Sequence, residues 1–164
     1  MLPKTSIEDI LKDLQILYDN HPDNNHKIYF SKLALLELCG WIELAHDEII
    51  KNYSDTKLTI KINKDEIEKI VIAQTYGFSY KSHFRPMVIK LIGFHRVEIL
   101  ESNLNSDILI LKAQLGDLYK LRNKAAHTPT IGEIPTYQSP SSMLGYLNSL
   151  HTKLTNFEIE LLNF

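Results

Sequence analysis

A single cysteine, six glycines and six prolines in 164 residues leave several classes of protein out of reach. Cys39 cannot close an internal disulfide, and its apolar neighbours read it as a reduced, packed thiol. His21, His26, His46, His83, His95 and His151 show no metal-ligand spacing with one another or with Cys39, so neither a structural metal nor a cofactor is expected. No apolar run approaches the roughly eighteen residues that span a bilayer, and Met1 to Asp9 lacks the apolar core of a signal peptide. The expectation is a cytoplasmic chain without a membrane segment. A large basic excess is also missing: the net charge is −2, which excludes a protein that coats duplex by neutralising many phosphates. Any nucleic-acid contact must then be local.

Hydrophobic residues at 44% and charged residues at 23% are ordinary for a globular chain. The length suits one domain over residues 1–164, large enough to remove about 70% of its unfolded surface from water. Helical spacing recurs throughout. Thr5 or Ser6 can cap a first helix through Ile7, Ile10, Leu11, Leu14 and Leu17, ending near Tyr18. After a loop over His21 to Asn25, Tyr29 to Ile50 reads as a long helix, apolar nearly all round and therefore central. Asn52 to Lys64 reads as an irregular connection with an extended piece at Leu58, Ile60 and Ile62. Asn63 can cap a helix carried by Ile67, Ile70, Val71 and Ala73 to about Gly77. Another begins near Ser82, takes Pro86 in its first turn and runs through Met87, Ile89, Leu91, Ile92, Phe94, Val97 and Leu100 to about Ser102. Ser106 opens the next, which Pro129 stops soon after His127. Thr128 to Gln138 is the clearest loop, and Ser139 with Pro140 starts a last helix whose core face is Leu144, Leu147, Leu150, Leu154, Phe157 and Leu161. The pattern predicts an all-α bundle of five or six helices.

Two residues break that pattern. Ile108, Leu111, Leu115 and Leu118 form an apolar stripe, and Arg122 falls in its middle, where an aliphatic side chain belongs. A guanidinium there costs several kcal/mol unless it is paired or faces a cavity. Glu37 lies between Leu33, Trp41 and Leu44 on the long helix and is the second exception. Asn123 and His127, four residues apart, are neighbours on one flank of the Arg122 helix. Arg122 and His127 are about 140° apart around the axis, so the two tips converge from one helix only through the long arginine.

Arg122-Asn123-Lys124-Ala125-Ala126-His127 resembles the signature of the HEPN domains, small helical bundles in which an arginine and a polar residue precede three variable residues and a histidine. The helix holding Glu37, Trp41 and Glu43 is similar to an earlier core helix of that family. The resemblance implies a metal-independent endoribonuclease of the toxin–antitoxin or antiviral-defence kind, working as a homodimer whose two motifs face one cleft. It implies that His127 moves the proton of the 2′-hydroxyl or leaving group, histidine being the side chain that exchanges protons near neutral pH. Arg122 would hold the scissile phosphate with its forked cation, and Asn123 would orient His127 or donate to phosphate. Attack by the RNA's own 2′-hydroxyl would leave a 2′,3′-cyclic phosphate. An antitoxin or defence-system protein is the implied further partner. One subgroup is silenced by modification of a tyrosine two residues past the histidine; that position is Pro129 here, which argues against this control.

The residues also admit plainer readings. Arg122 and Glu37 can form a buried ion pair that satisfies both exceptions, with Glu37 either purely structural or steadying a functional arginine. His127 can serve only to meet the negative end of its helix. Tyr119, one turn before Asn123, is a candidate for stacking on a base, though a packed ring is the simpler reading, as it is for Trp41. Lys124, Lys120, Arg85 and Arg96 read first as solvated cations and second as a phosphate track. A non-catalytic module binding RNA, a nucleotide or a protein through the same groove is the competing function.

Overall fold

The computed structural model describes residues 2–127 and 136–164, and its regular elements are all helical among them. Helix α1 is Thr5–Asn20, α2 is Asn24–Lys57 and α3 is Lys61–Ile67, continued by a π-helical turn over Glu68–Ile72. A second π-helical turn, Tyr80–Phe84, leads into α4, Arg85–Asn103; α5 is Ser106–His127 and α6 is Pro140–Leu161. The Thr128 to Gln138 loop lies outside the described residues except for its last three positions, which are not helical.

Helix α2 is the axis of the bundle, packing on α1, α5 and α6. Its buried face includes Leu35, Leu38, Ile42, Ile49 and Ile50. The stripe read on α5 is buried at Ile108, Leu111, Leu115 and Leu118, and the α6 face is buried at Leu147, Leu150, Leu154, Phe157 and Leu161, with Leu144 half-buried. Phe157 meets Phe84 with ring centroids 4.8 Å apart, which ties α6 to the second π-helical turn. Helix α6 begins as its sequence dictates: the Ser139 hydroxyl accepts from the Ser142 N–H and Pro140 occupies the first turn.

The expected helices need correction at several points: α1 and α3 start behind Lys4 and Ile60 without a side-chain cap, and not at Thr5, Ser6 or Asn63. Helix α2 is longer at both ends, because Asp23 inside the expected loop accepts from Asn25 N–H at 2.8 Å and caps it. At its other end, Tyr53 and Ser54 are buried and carry the helix to Lys57, so the connection shrinks to Leu58 to Ile60, where Leu58 and Ile60 keep the expected extended dihedrals while Ile62 is already helical. The middle of α2 is not buried all round either, since Leu33, Gly40 and Leu44 are exposed. Gly93 has φ 78° and ψ 165°, a conformation essentially reserved for glycine, and it kinks α4. Phe94, next to the kink, is 68% exposed and so leaves the expected face, while Val97 and Leu100 beyond it are buried as expected.

Gly77 accounts for the end of the third helical region. Its φ is 114°, and a Cβ there would stand 3.0 Å from the His83 ring, so only glycine fits both the turn and the contact. That close approach lays the Phe78 to Arg85 segment beside α5.

Candidate functional site

Helix α5 carries the motif to its last turn. Arg122 is half-buried on the stripe side and faces α2 close enough to act electrostatically on Cys39. Burial pushes the Cys39 thiol up to about 12, against the opposing pull of Arg122, so this is a packed and unreactive cysteine. Arg122 Nη1 donates to Asn123 Oδ1 over 3.4 Å, a long contact that leaves most of the guanidinium fork uncommitted. Among the described residues no carboxylate lies within ion-pair distance of Arg122. The Arg122–Glu37 pair is therefore not formed, and no described carboxylate ties the arginine that breaks the stripe into a buried salt bridge.

Glu37 is half-buried on the wall of a cleft of about 770 Å³, with Trp41, Glu43 and Asp47 on the same helix and Ile10 of α1, Ile72 and Tyr76 around it. This is a different place from the motif. Burial, then the neighbouring Glu43 charge, push Asp47 up to about 6. Three acidic side chains on apolar walls make a cleft of the wrong sign for a polyanion. Trp41 is half-buried here and donates its Nε1–H to the Pro3 carbonyl at 2.8 Å, so it pins the N-terminal segment.

Tyr119 is half-buried between Phe78 and His83, with ring centroids 5.6 and 5.4 Å away. Lys124 and His127 are exposed at the helix end, and Asn123 is half-buried on the same flank as His127. The fold thus brings Arg122, Asn123, Tyr119 and His127 to one end of α5, with Arg122 and His127 on different sides of it. Sequence reading did not foresee His83, brought beside Tyr119 by the turn at Gly77; the Ser79 hydroxyl lies 2.8 Å from its Nδ1 and fixes the ring. Nothing in the spacing of His83 to the motif signalled this neighbourhood.

His46 is the other histidine that spacing passed over. Its ring is buried and stacked on Phe84, with centroids 3.9 Å apart and planes 5° from parallel, and neither ring nitrogen has a hydrogen-bond partner among the described residues. Burial, aided by His83, pushes its pKa down to about 3, so it is neutral at ordinary pH.

No group of three or more histidine, cysteine, aspartate or glutamate side chains among the described residues is arranged to hold a metal ion. No helix among the described residues is long and apolar enough to cross a membrane. No family model matches the chain, and comparison with curated proteins and with solved structures finds no significant match, so its functional reading rests on its own residues.

Proposed function

We propose that the chain is a HEPN-like endoribonuclease that cuts RNA at a site shared by two copies of itself, with Arg122, Asn123 and His127 as its working residues. The observation that carries this reading is Arg122: half-buried in an apolar stripe, unpaired by any described carboxylate, and five residues from an exposed histidine. A cation with no counter-ion among the described residues suits a substrate that brings one, such as a phosphodiester.

In the proposed reaction the ribose 2′-hydroxyl attacks the adjacent phosphorus as its proton is removed. The P–O5′ bond breaks and the departing 5′-oxygen is protonated, leaving a 2′,3′-cyclic phosphate and a 5′-hydroxyl. His127 takes or supplies one of these protons, Arg122 neutralises charge on the non-bridging oxygens, and Asn123 orients the histidine or the phosphate. The nucleophile belongs to the RNA, so these steps ask no metal of the protein. Because Arg122 and His127 project from different sides of α5, an isologous dimer supplies both to one phosphate more readily than one helix does. An antitoxin or defence-system partner and a cytoplasmic setting belong to the same reading.

The chemistry is tested with a single-stranded RNA and the same strand carrying 2′-O-methyl groups throughout. The unmodified strand is expected to be cut to cyclic-phosphate ends and the methylated one to remain whole. Cutting of both strands contradicts the mechanism. The second reading, a module that binds RNA without cutting it, is favoured if the two strands bind equally and neither is cut.

A further inference from the structure

A pocket of about 500 Å³ opens along α5 before the motif, walled by Ser79, Tyr80, Lys81, Arg85, Lys112 and Gly116. Three of these six residues are cations. One carboxylate answers them: Glu101 lies 2.8 Å from Arg85 Nε and 3.4 Å from Lys112 Nζ, and it also accepts from the Tyr80 hydroxyl at 2.7 Å. Burial pushes Glu101 up, but the hydrogen bonds from Tyr80 and Arg85 and the charges of Lys112 and Arg85 outweigh it and hold the carboxyl below its ordinary range. Glu101 therefore stays ionised and fixes Arg85 and Lys112 in place, while the surplus of two positive charges remains for a ligand. In a chain of net charge −2, such a surplus in a concave site is a local exception.

The position of the pocket matters as much as its sign. On α5, Lys112, Gly116, Tyr119, Asn123 and His127 fall within about 80° of arc, so the pocket shares one face of the helix with Asn123 and His127, while Arg122 lies to the side of it. From Lys112 to Asn123 the helix rises about 16 Å, a span of a few nucleotides of single strand. Gly116 leaves the floor open, because a Cβ there would meet nothing within 4 Å. The acidic cleft lined by Glu37, Glu43 and Asp47 is not on this face.

We propose that this pocket holds a backbone phosphate of the strand that the motif acts on, the strand's identity as RNA resting on the ribonuclease reading above. Lys81 and Lys112 supply its neutralising charge and Arg85, oriented by Glu101, its geometry. Such a contact positions the strand along α5 without reading its bases.

The test uses the full chain and a short fluorescein-labelled RNA with 2′-O-methyl groups, so that binding is measured without cleavage, by anisotropy at several salt concentrations. Lys81→Glu and Lys112→Gln are expected to weaken binding and to lower the salt slope by about 0.7 for each phosphate that is no longer neutralised. Gly116→Met fills the pocket without changing charge and is expected to weaken binding about tenfold or more, with helicity unchanged by circular dichroism. Equal affinity and slope for the wild type and all three variants overturn the proposal, as does absence of strand binding by the wild type. Preference of the pocket for an acidic peptide over the RNA also overturns it. Cleavage of unmodified RNA separates the two claims. A wild type that never cuts but shows the pocket-dependent binding loses the ribonuclease reading alone, and one that cuts as well with the pocket variants loses the phosphate site alone.

Discussion

His46 shows how far one buried side chain can set the conditions under which this bundle is stable. A histidine ordinarily titrates near 6.5, and His46 titrates near 3 in the folded chain. Between those values the unfolded chain binds the extra proton, so stability due to His46 is complete above about pH 6.5 and falls as pH drops toward 3. The slope for one such group is at most about 1.4 kcal/mol per pH unit. Asp47 acts in the opposite sense: its pKa rises from 3.8 to about 6, so its contribution falls as pH increases through that window. Asp47 is common to both proteins, so urea denaturation between pH 8 and pH 4 is expected to show the stability of the wild type falling relative to that of His46→Leu below about pH 6.5. Parallel curves for the two proteins would mean that His46 does not stay neutral in its pocket.

At the scale of the element, two glycines predict opposite outcomes. Gly93 kinks α4 with φ 78° and ψ 165°, and Gly93→Ala is expected to destabilise by about 1–3 kcal/mol because the backbone is closed to a Cβ. Gly116 lies in regular helix beside open space, and Gly116→Ala is expected to stabilise by up to about 1 kcal/mol through helix propensity. Equal destabilisation by both substitutions in urea melts would contradict the kink. The same pair explains what is legible in the sequence. Helix α5 and the core face of α6 can be read directly, since a regular helix buries residues at a fixed angular period and Ser139 with Pro140 marks a start. The kink at Gly93, the π-helical turns and the close approach of Gly77 to His83 break that period, and isolated glycines do not announce which of them leave the helical region. Leu58 to Ile62 is legible only in part: Leu58 and Ile60 are extended as their alternation suggests, whereas buried Tyr53 and Ser54 carry α2 to Lys57 and Ile62 already lies in α3.

For the whole molecule, charge separates two faces that composition averages to −2. One holds the acidic, apolar-walled cleft of α2, and the other runs from the Lys81, Arg85 and Lys112 pocket along α5 to Asn123 and His127. The motif itself is legible from sequence because Arg122 violates an otherwise regular stripe. Glu37 reads as its partner only while α2 is taken as buried all round; with Leu33 and Leu44 exposed, a carboxylate on that face breaks no rule. Of the cationic pocket only Arg85 is singled out in the sequence, as one cation of a candidate phosphate track; Lys81 and Lys112 are not, since the pocket joins residues from a π-helical turn, α4 and α5 that only the tertiary fold assembles.

The central claim is that Arg122 and His127 cut RNA, and the most direct measurement is cleavage of mixed cellular RNA by the purified protein in EDTA, which silences contaminating metal-dependent nucleases. His127→Ala and Arg122→Ala, confirmed as folded by circular dichroism, are compared with the wild type. The account predicts cutting by the wild type and losses of about 10²- to 10⁴-fold in both variants, the range for removing a proton-transfer group or a charge-stabilising donor. Cutting at the wild-type rate by either folded variant, or no cutting by the wild type on any RNA, would contradict it.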